Sequence, residues 1–232
     1  MPPLYLDYWY VVLVIPAIIF AMIAQGMVSG RFRKFSAVRT YRGLTGEQAA
    51  REVLSANGVS GVNIEPIAGS MTDHYDPRSN TIRLSKGVYD SVSVAAVGIA
   101  AHEAGHAVQY ALGYGPIKLR QAIIPVTQIG STLSLPLILV GLFLASNLGD
   151  MFFLAGVVFF ALATVFQLLT LPVEFDASRR AMDTLGNLRV LDEGELAGAK
   201  QVLTAAAMTY VAALAVSLAQ LLRLLIIFGK RR

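Results

Sequence analysis

The chain has 232 residues, 55% of them hydrophobic and 15% charged, with a mean hydropathy of +0.59. A soluble domain carries about 25% charged residues, so this composition excludes an ordinary water-soluble globule and points to an integral membrane protein. Cysteine is absent, which excludes disulfides and thiolate ligands and leaves His, Asp and Glu to hold any metal; the net charge of +4 suits a membrane surface, with no nucleic-acid partner expected.

Residues 9–28 are almost wholly apolar and long enough to cross a hydrocarbon core about 30 Å thick. The preceding residues carry Asp7 and no Lys or Arg, so they lack the basic start of a signal peptide, and a retained transmembrane helix with a mild kink at Pro16 is expected. Trp9, with Tyr5, Tyr8 and Tyr10, reads as an interfacial aromatic belt. Arg31-Phe32-Arg33-Lys34, then Arg39 and Arg42, follow the span. Basic residues flank the cytoplasmic side, so the N-terminus is placed outside and the following segment inside.

Residues 36–91 are the only long polar region. Thr45-Gly46-Glu47-Gln48 opens a helix running to about Ala56, with an amphipathic face of Ala49, Ala50, Val53 and Leu54 and a close at Asn57-Gly58. Residues 62–65 read as a short strand and 73–77 as a turn. Residues 80–85 alternate apolar and polar, which predicts a strand with one face buried. Its free edge could add a substrate peptide as a further strand, or it could simply cover the next helix.

That helix is predicted over residues 92–112, with Asp90 and Ser91 as candidate N-caps and Gly113 as the stop. It contains His102-Glu103-Ala104-Gly105-His106, an H-E-x-x-H pattern. Residues four apart share a helix face, so both imidazoles can address one metal ion while Glu103 serves as the base for a water molecule. Two of the chain's three histidines fall in this motif. The small residues Ala100, Ala101, Ala104, Gly105 and Ala107 leave room for a close neighbour.

Residues 122–145 read as a second span interrupted by Pro125, Gly130 and Pro136, residues 146–150 as an outside turn, and 151–171 as a third span. Residues 172–202 are polar again. Two histidines need a third protein ligand, commonly a Glu from a later helix, and Glu174 is preferred over Asp176; Glu193 and Glu195 belong to a capping turn. Residues 203–228 form a fourth span containing Arg223, which places Lys230-Arg231-Arg232 outside, against the basic-inside tendency.

Tyr75-Asp76, Arg83-Leu84-Ser85, the H-E-x-x-H segment and Glu174-Phe175-Asp176-Ala177-Ser178-Arg179-Arg180-Ala181 together resemble the YugP-like family of neutral zinc metallopeptidases of bacterial membranes. The last segment is also similar to the Glu-aromatic-x-Ala-Asp pattern of HtpX-like membrane metallopeptidases, in which the glutamate is the third zinc ligand. Carried over, that ligand is Glu174. The chain departs from the pattern at Ser178, which stands where the aspartate would be and leaves Asp176 to orient a ligand.

The expected fold is mainly α and integral to the membrane, with about four transmembrane helices and a small α+β zincin-like cytoplasmic region. Its parts are an N-terminal transmembrane helix (1–30), the zincin-like region (31–121), a transmembrane hairpin (122–171), a cytoplasmic segment carrying the third ligand (172–202) and a C-terminal transmembrane helix (203–232). The expected activity is that of a zinc metalloendopeptidase in the cell membrane with its site facing the cytoplasm. One Zn2+ per chain would sit on His102, His106 and Glu174, with Glu103 as base; Fe, Mn or Co suit the same ligands. Candidates to stabilise the developing oxyanion are His74, Tyr75 and Arg179. Expected partners are the lipid bilayer, a peptide or membrane-protein substrate and membrane partner proteins. The alternatives are a site-2-type intramembrane protease, which would need a distal Asp from a span, and a non-catalytic membrane scaffold with a structural metal.

Overall fold

The computed structural model describes residues 7–230, apart from residue 145. The first apolar stretch begins as a wide π-turn, Tyr10–Val14, and continues as α1, Ile15–Ser36. A proline ring crowds the carbonyl four residues back, here Val12, and the wide turn lies where that clash falls. The helix does not stop where hydropathy falls; Arg33 and Lys34 occupy its last turn. α2 (Gly46–Ala56) starts at a capping box in which the Thr45 side chain accepts from the Gln48 N–H and the Gln48 side chain accepts from the Thr45 N–H. Its predicted face is buried at Ala49, Ala50, Val53 and Leu54.

Three strands follow: β1 (Asn63–Ile67), β2 (His74–Asp76) and β3 (Thr81–Ser85), in the order β1-β3-β2. This corrects two expectations. Residues 74–76 are a strand and not only a turn; three residues beside Asp and Pro give no alternation to read. β3 is central, pairing parallel with β1 and antiparallel with β2, and is buried on both faces, so it has no free edge. The edge near the next helix belongs to β2.

α3 (Lys86–Tyr89) leads into α4 (Val94–Ala111). The N-cap is Ser93, whose hydroxyl accepts from the Ala96 N–H, and not Asp90 or Ser91; Asp90 instead ends α3. Gly113, at φ +64°, takes the left-handed conformation that closes the helix. α5 (Gly115–Phe143) starts before the predicted second span and passes through Pro125 and Pro136; the expected end of that span at residue 145 lies outside the described residues. α6 (Asn147–Asn187) is one 41-residue helix with Pro172 inside it, and α7 (Glu193–Gly229) is another of 37. The polar segment 172–202 is therefore largely helical, made of the second half of α6 and the start of α7, each continuous with an apolar stretch. Asp192 and Glu195 cap α7 reciprocally through each other's backbone N–H groups.

Among the described residues, four helical stretches are long and apolar enough to cross a membrane: Tyr10–Ser36, Gly115–Phe143, Asn147–Asn187 and Glu193–Gly229. The chain divides into two compact units. The first comprises Met1–Ala24, Leu119–Leu171 and Thr209–Arg232. Its outward residues include Val126, Ile129, Leu135, Val158, Leu168 and Leu218, each at least half exposed, an arrangement suited to lipid. Within it, the buried Arg223 guanidinium bonds Asp7 at 2.6 and 2.8 Å and lies over the Tyr10 ring. This gives the cation in the fourth span a partner. Tyr8 and Trp9 pack edge to face, and Lys230 lies over the Trp9 ring; Tyr5, Arg231 and Arg232, named in the belt and tail expectations, lie outside the described residues. The second unit comprises Gln25–Lys118 and Pro172–Met208, and its core gathers α2, the sheet, α4 and the polar halves of α6 and α7 around buried residues such as Val53, Ile82, Val97, Leu185 and Val202.

Candidate metal centre

α4 is buried along most of its length, and Ala and Gly at its inner positions let α6 approach closely. At Gly105 a Cβ would lie 2.6 Å from the Ala177 carbonyl oxygen, so only glycine fits this crossing. The crossing brings α6 residues 174–178 against the two histidines.

His102 Nε2 and His106 Nε2 lie 3.4 and 3.6 Å from one oxygen of Glu174. The three ligand atoms lie within 4.8 Å of one another, a grouping that could hold a metal ion. A tetrahedral ion with bonds of about 2.1 Å has ligand separations of about 3.4 Å, so the two measured edges match a zinc-sized site. Glu174 is 3% exposed, and two neutral nitrogens with one carboxylate leave a fourth position for water or substrate. The residues present fit the ion.

Both imidazoles are oriented through Nδ1. His102 Nδ1 meets Ser178 Oγ at 3.1 Å, and His106 Nδ1 meets Gln109 Oε1 at 3.0 Å. Gln109 in turn donates to the Val173 carbonyl at 2.8 Å and to Asp176 at 2.9 Å, and Asp176 also accepts from Arg179 and Arg180. Burial of the His106 ring favours the neutral imidazole, but the Glu174 and Glu103 carboxylates outweigh it and raise its pKa above the usual histidine value.

Glu103, beside the first histidine, accepts the Tyr75 backbone N–H at 3.0 Å. That N–H points away from β3, so the outer edge of β2 faces the Glu103 carboxylate. The Tyr75 hydroxyl instead donates to Asn80 at 2.8 Å. The exposed His74 ring is turned to the Thr72 carbonyl at 2.8 Å, and the Arg179 side chain goes to Asp176 and Asp183. Of the residues singled out in the sequence, His102, His106, Glu174, Glu103 and the Tyr75 backbone come together directly, and Asp176 joins through Gln109. Sequence reasoning missed Gln109. The signal was there: a polar side chain one turn beyond His106 on a helix with few others has to find a partner.

The family model described as "Putative neutral zinc metallopeptidase" matches residues 10–229. The chain belongs to that family. It is also 42% identical over 220 residues to "Putative membrane protease YugP" of Bacillus subtilis (strain 168), covering 94% of this chain and 96% of that one. No solved structure matches it. The family's description names zinc, and His102, His106 and Glu174 form a group that could hold a metal ion.

Proposed function

We propose that this chain is a membrane-bound zinc-dependent metalloendopeptidase, with one ion per chain held by His102, His106 and Glu174. The observation that carries the reading is the convergence of two Nε2 atoms and one carboxylate oxygen at tetrahedral edge lengths, beside a Glu103 carboxylate that is not one of the three. A purely structural site needs no such base, which disfavours the scaffold reading. When bound, zinc polarises a carbonyl and lowers the pKa of a coordinated water.

The chain's own residues do the rest. Glu103 takes the proton from the attacking water and passes it to the departing amine. The Tyr75 N–H fixes the carboxylate's direction. The site works at the cytoplasmic face. The basic residues at the end of α1 and the position of Glu174, a few residues past the apolar part of one unbroken helix, support this. Protease accessibility of residues 60–90 in inverted vesicles separates it from a site buried in the bilayer.

Glu103→Gln tests the chemistry. The variant should bind zinc as the wild type does, and cleavage of an unfolded membrane-protein substrate should fall by at least about 100-fold. A fully active Glu103→Gln would remove Glu103 from the mechanism.

A further inference from the structure

Gln109 is fully buried, and its amide has no freedom to turn over. Its NH2 faces two groups that can only accept: the Val173 carbonyl, and the Asp176 carboxylate that two guanidinium groups already engage. Reversing the amide would set Oε1 against both. Oε1 must therefore face His106, and an acceptor there requires a proton on Nδ1. The hydroxyl that meets His102 imposes nothing comparable, because a serine can donate or accept. The two acceptors of Gln109 also bracket Glu174 on α6, one residue before it and two after.

We propose that Gln109 is a positioning residue for the metal centre. It locks His106 in the Nδ1–H tautomer, leaves the Nε2 lone pair for the ion, and pins the turn of α6 that presents Glu174, with Asp176 as its anchor. This rests on the metal reading above. It assigns Asp176 a role through Gln109, with Arg179 and Arg180 holding that carboxylate in place.

The experiment uses the full-length protein in detergent. Zinc affinity is measured by chelator competition, the ligand field by the visible spectrum of the cobalt-loaded protein, and folding by thermal melting without metal, for wild type, Gln109→Met and Ser178→Ala. Gln109→Met should lose about 10- to 100-fold in zinc affinity and shift the cobalt spectrum, with Ser178→Ala affected less. Unchanged affinity and spectrum in Gln109→Met would overturn the assignment while leaving the metal site standing. A wild type that binds no zinc overturns both. If Gln109→Met fails to fold, nitrogen-15 imidazole spectra of the zinc-loaded wild type decide, since the chain has only three histidines. Nε2 ligation with a slowly exchanging Nδ1 proton at His106 supports the proposal; Nδ1 ligation ends it.

Discussion

Gly105→Ala adds a single methyl where α4, which carries His102 and His106, meets α6, which carries Glu174. That methyl would sit 2.6 Å from the Ala177 carbonyl oxygen, where ordinary contact starts at 3.4 Å. The obstacle is backbone, so α4 and α6 must part by about 0.8 Å. A metal site tolerates deviations of about 0.2 Å. The Glu174 separations of 3.4 and 3.6 Å would open past about 4 Å, too wide for both histidines and Glu174 to bind one ion. Overpacking costs about 1–3 kcal/mol, and the better helix propensity of alanine returns about 1. Zinc affinity should fall at least about 100-fold by chelator competition, with a net loss of stability of up to about 2 kcal/mol. Gly30→Ala, where nothing lies within 4 Å, is the control and should be neutral or slightly stabilising. A Gly105→Ala protein that binds zinc like the wild type would refute the idea that this crossing sets the ligand geometry.

Glu174→Ala should reduce zinc, measured by metal analysis of the purified protein, to a weakly held fraction, because two imidazoles alone complete no site. Asp7→Ala leaves the Arg223 guanidinium buried without its carboxylate and should cost about 1–3 kcal/mol in thermal unfolding; adding Arg223→Met should recover part of that loss, and strict additivity would mean that the pair does not couple. Hydrogen bonds from Ser79, the Arg78 N–H and Arg83 lower the Asp76 carboxyl pKa to about 2, so its contribution is complete above the ordinary carboxylate range and lost as the pH falls from about 4 through 2. Acid melts of Asp76→Asn should therefore be flatter than wild type across that window and unchanged in shape near neutrality.

What could be read from the sequence was local. The Thr45–Gln48 box and the i, i+4 spacing of His102 and His106 involve residues close in the chain, so their geometry follows from the helix itself. Helix ends near the apolar stretches could not be read the same way. Hydropathy falls at Pro172 because the surroundings of the side chains change, while the backbone hydrogen bonds of α6 continue to Asn187. A proline there costs one N–H and reads as a breaker, yet 41 residues of helix absorb it. β2 was hidden because its pairing partner, β3, supplies the order that three residues lack. The Gln109 arrangement needs α4 against α6, and nothing near position 109 in the chain names residues 173 and 176 as its partners.

The near-complete burial of α4 by alanine and glycine also bears on how this chain can vary over time. Ala95, Ala100, Ala101 and Ala104 have no exposed surface, so a larger side chain at any of them must displace a neighbour. Leu135, Val158 and Leu168, by contrast, face outward and can trade one hydrophobe for another at little expense. Substitutions that survive should therefore pile up on the outward faces of the long helices, while the short stretch around the histidines stays nearly frozen.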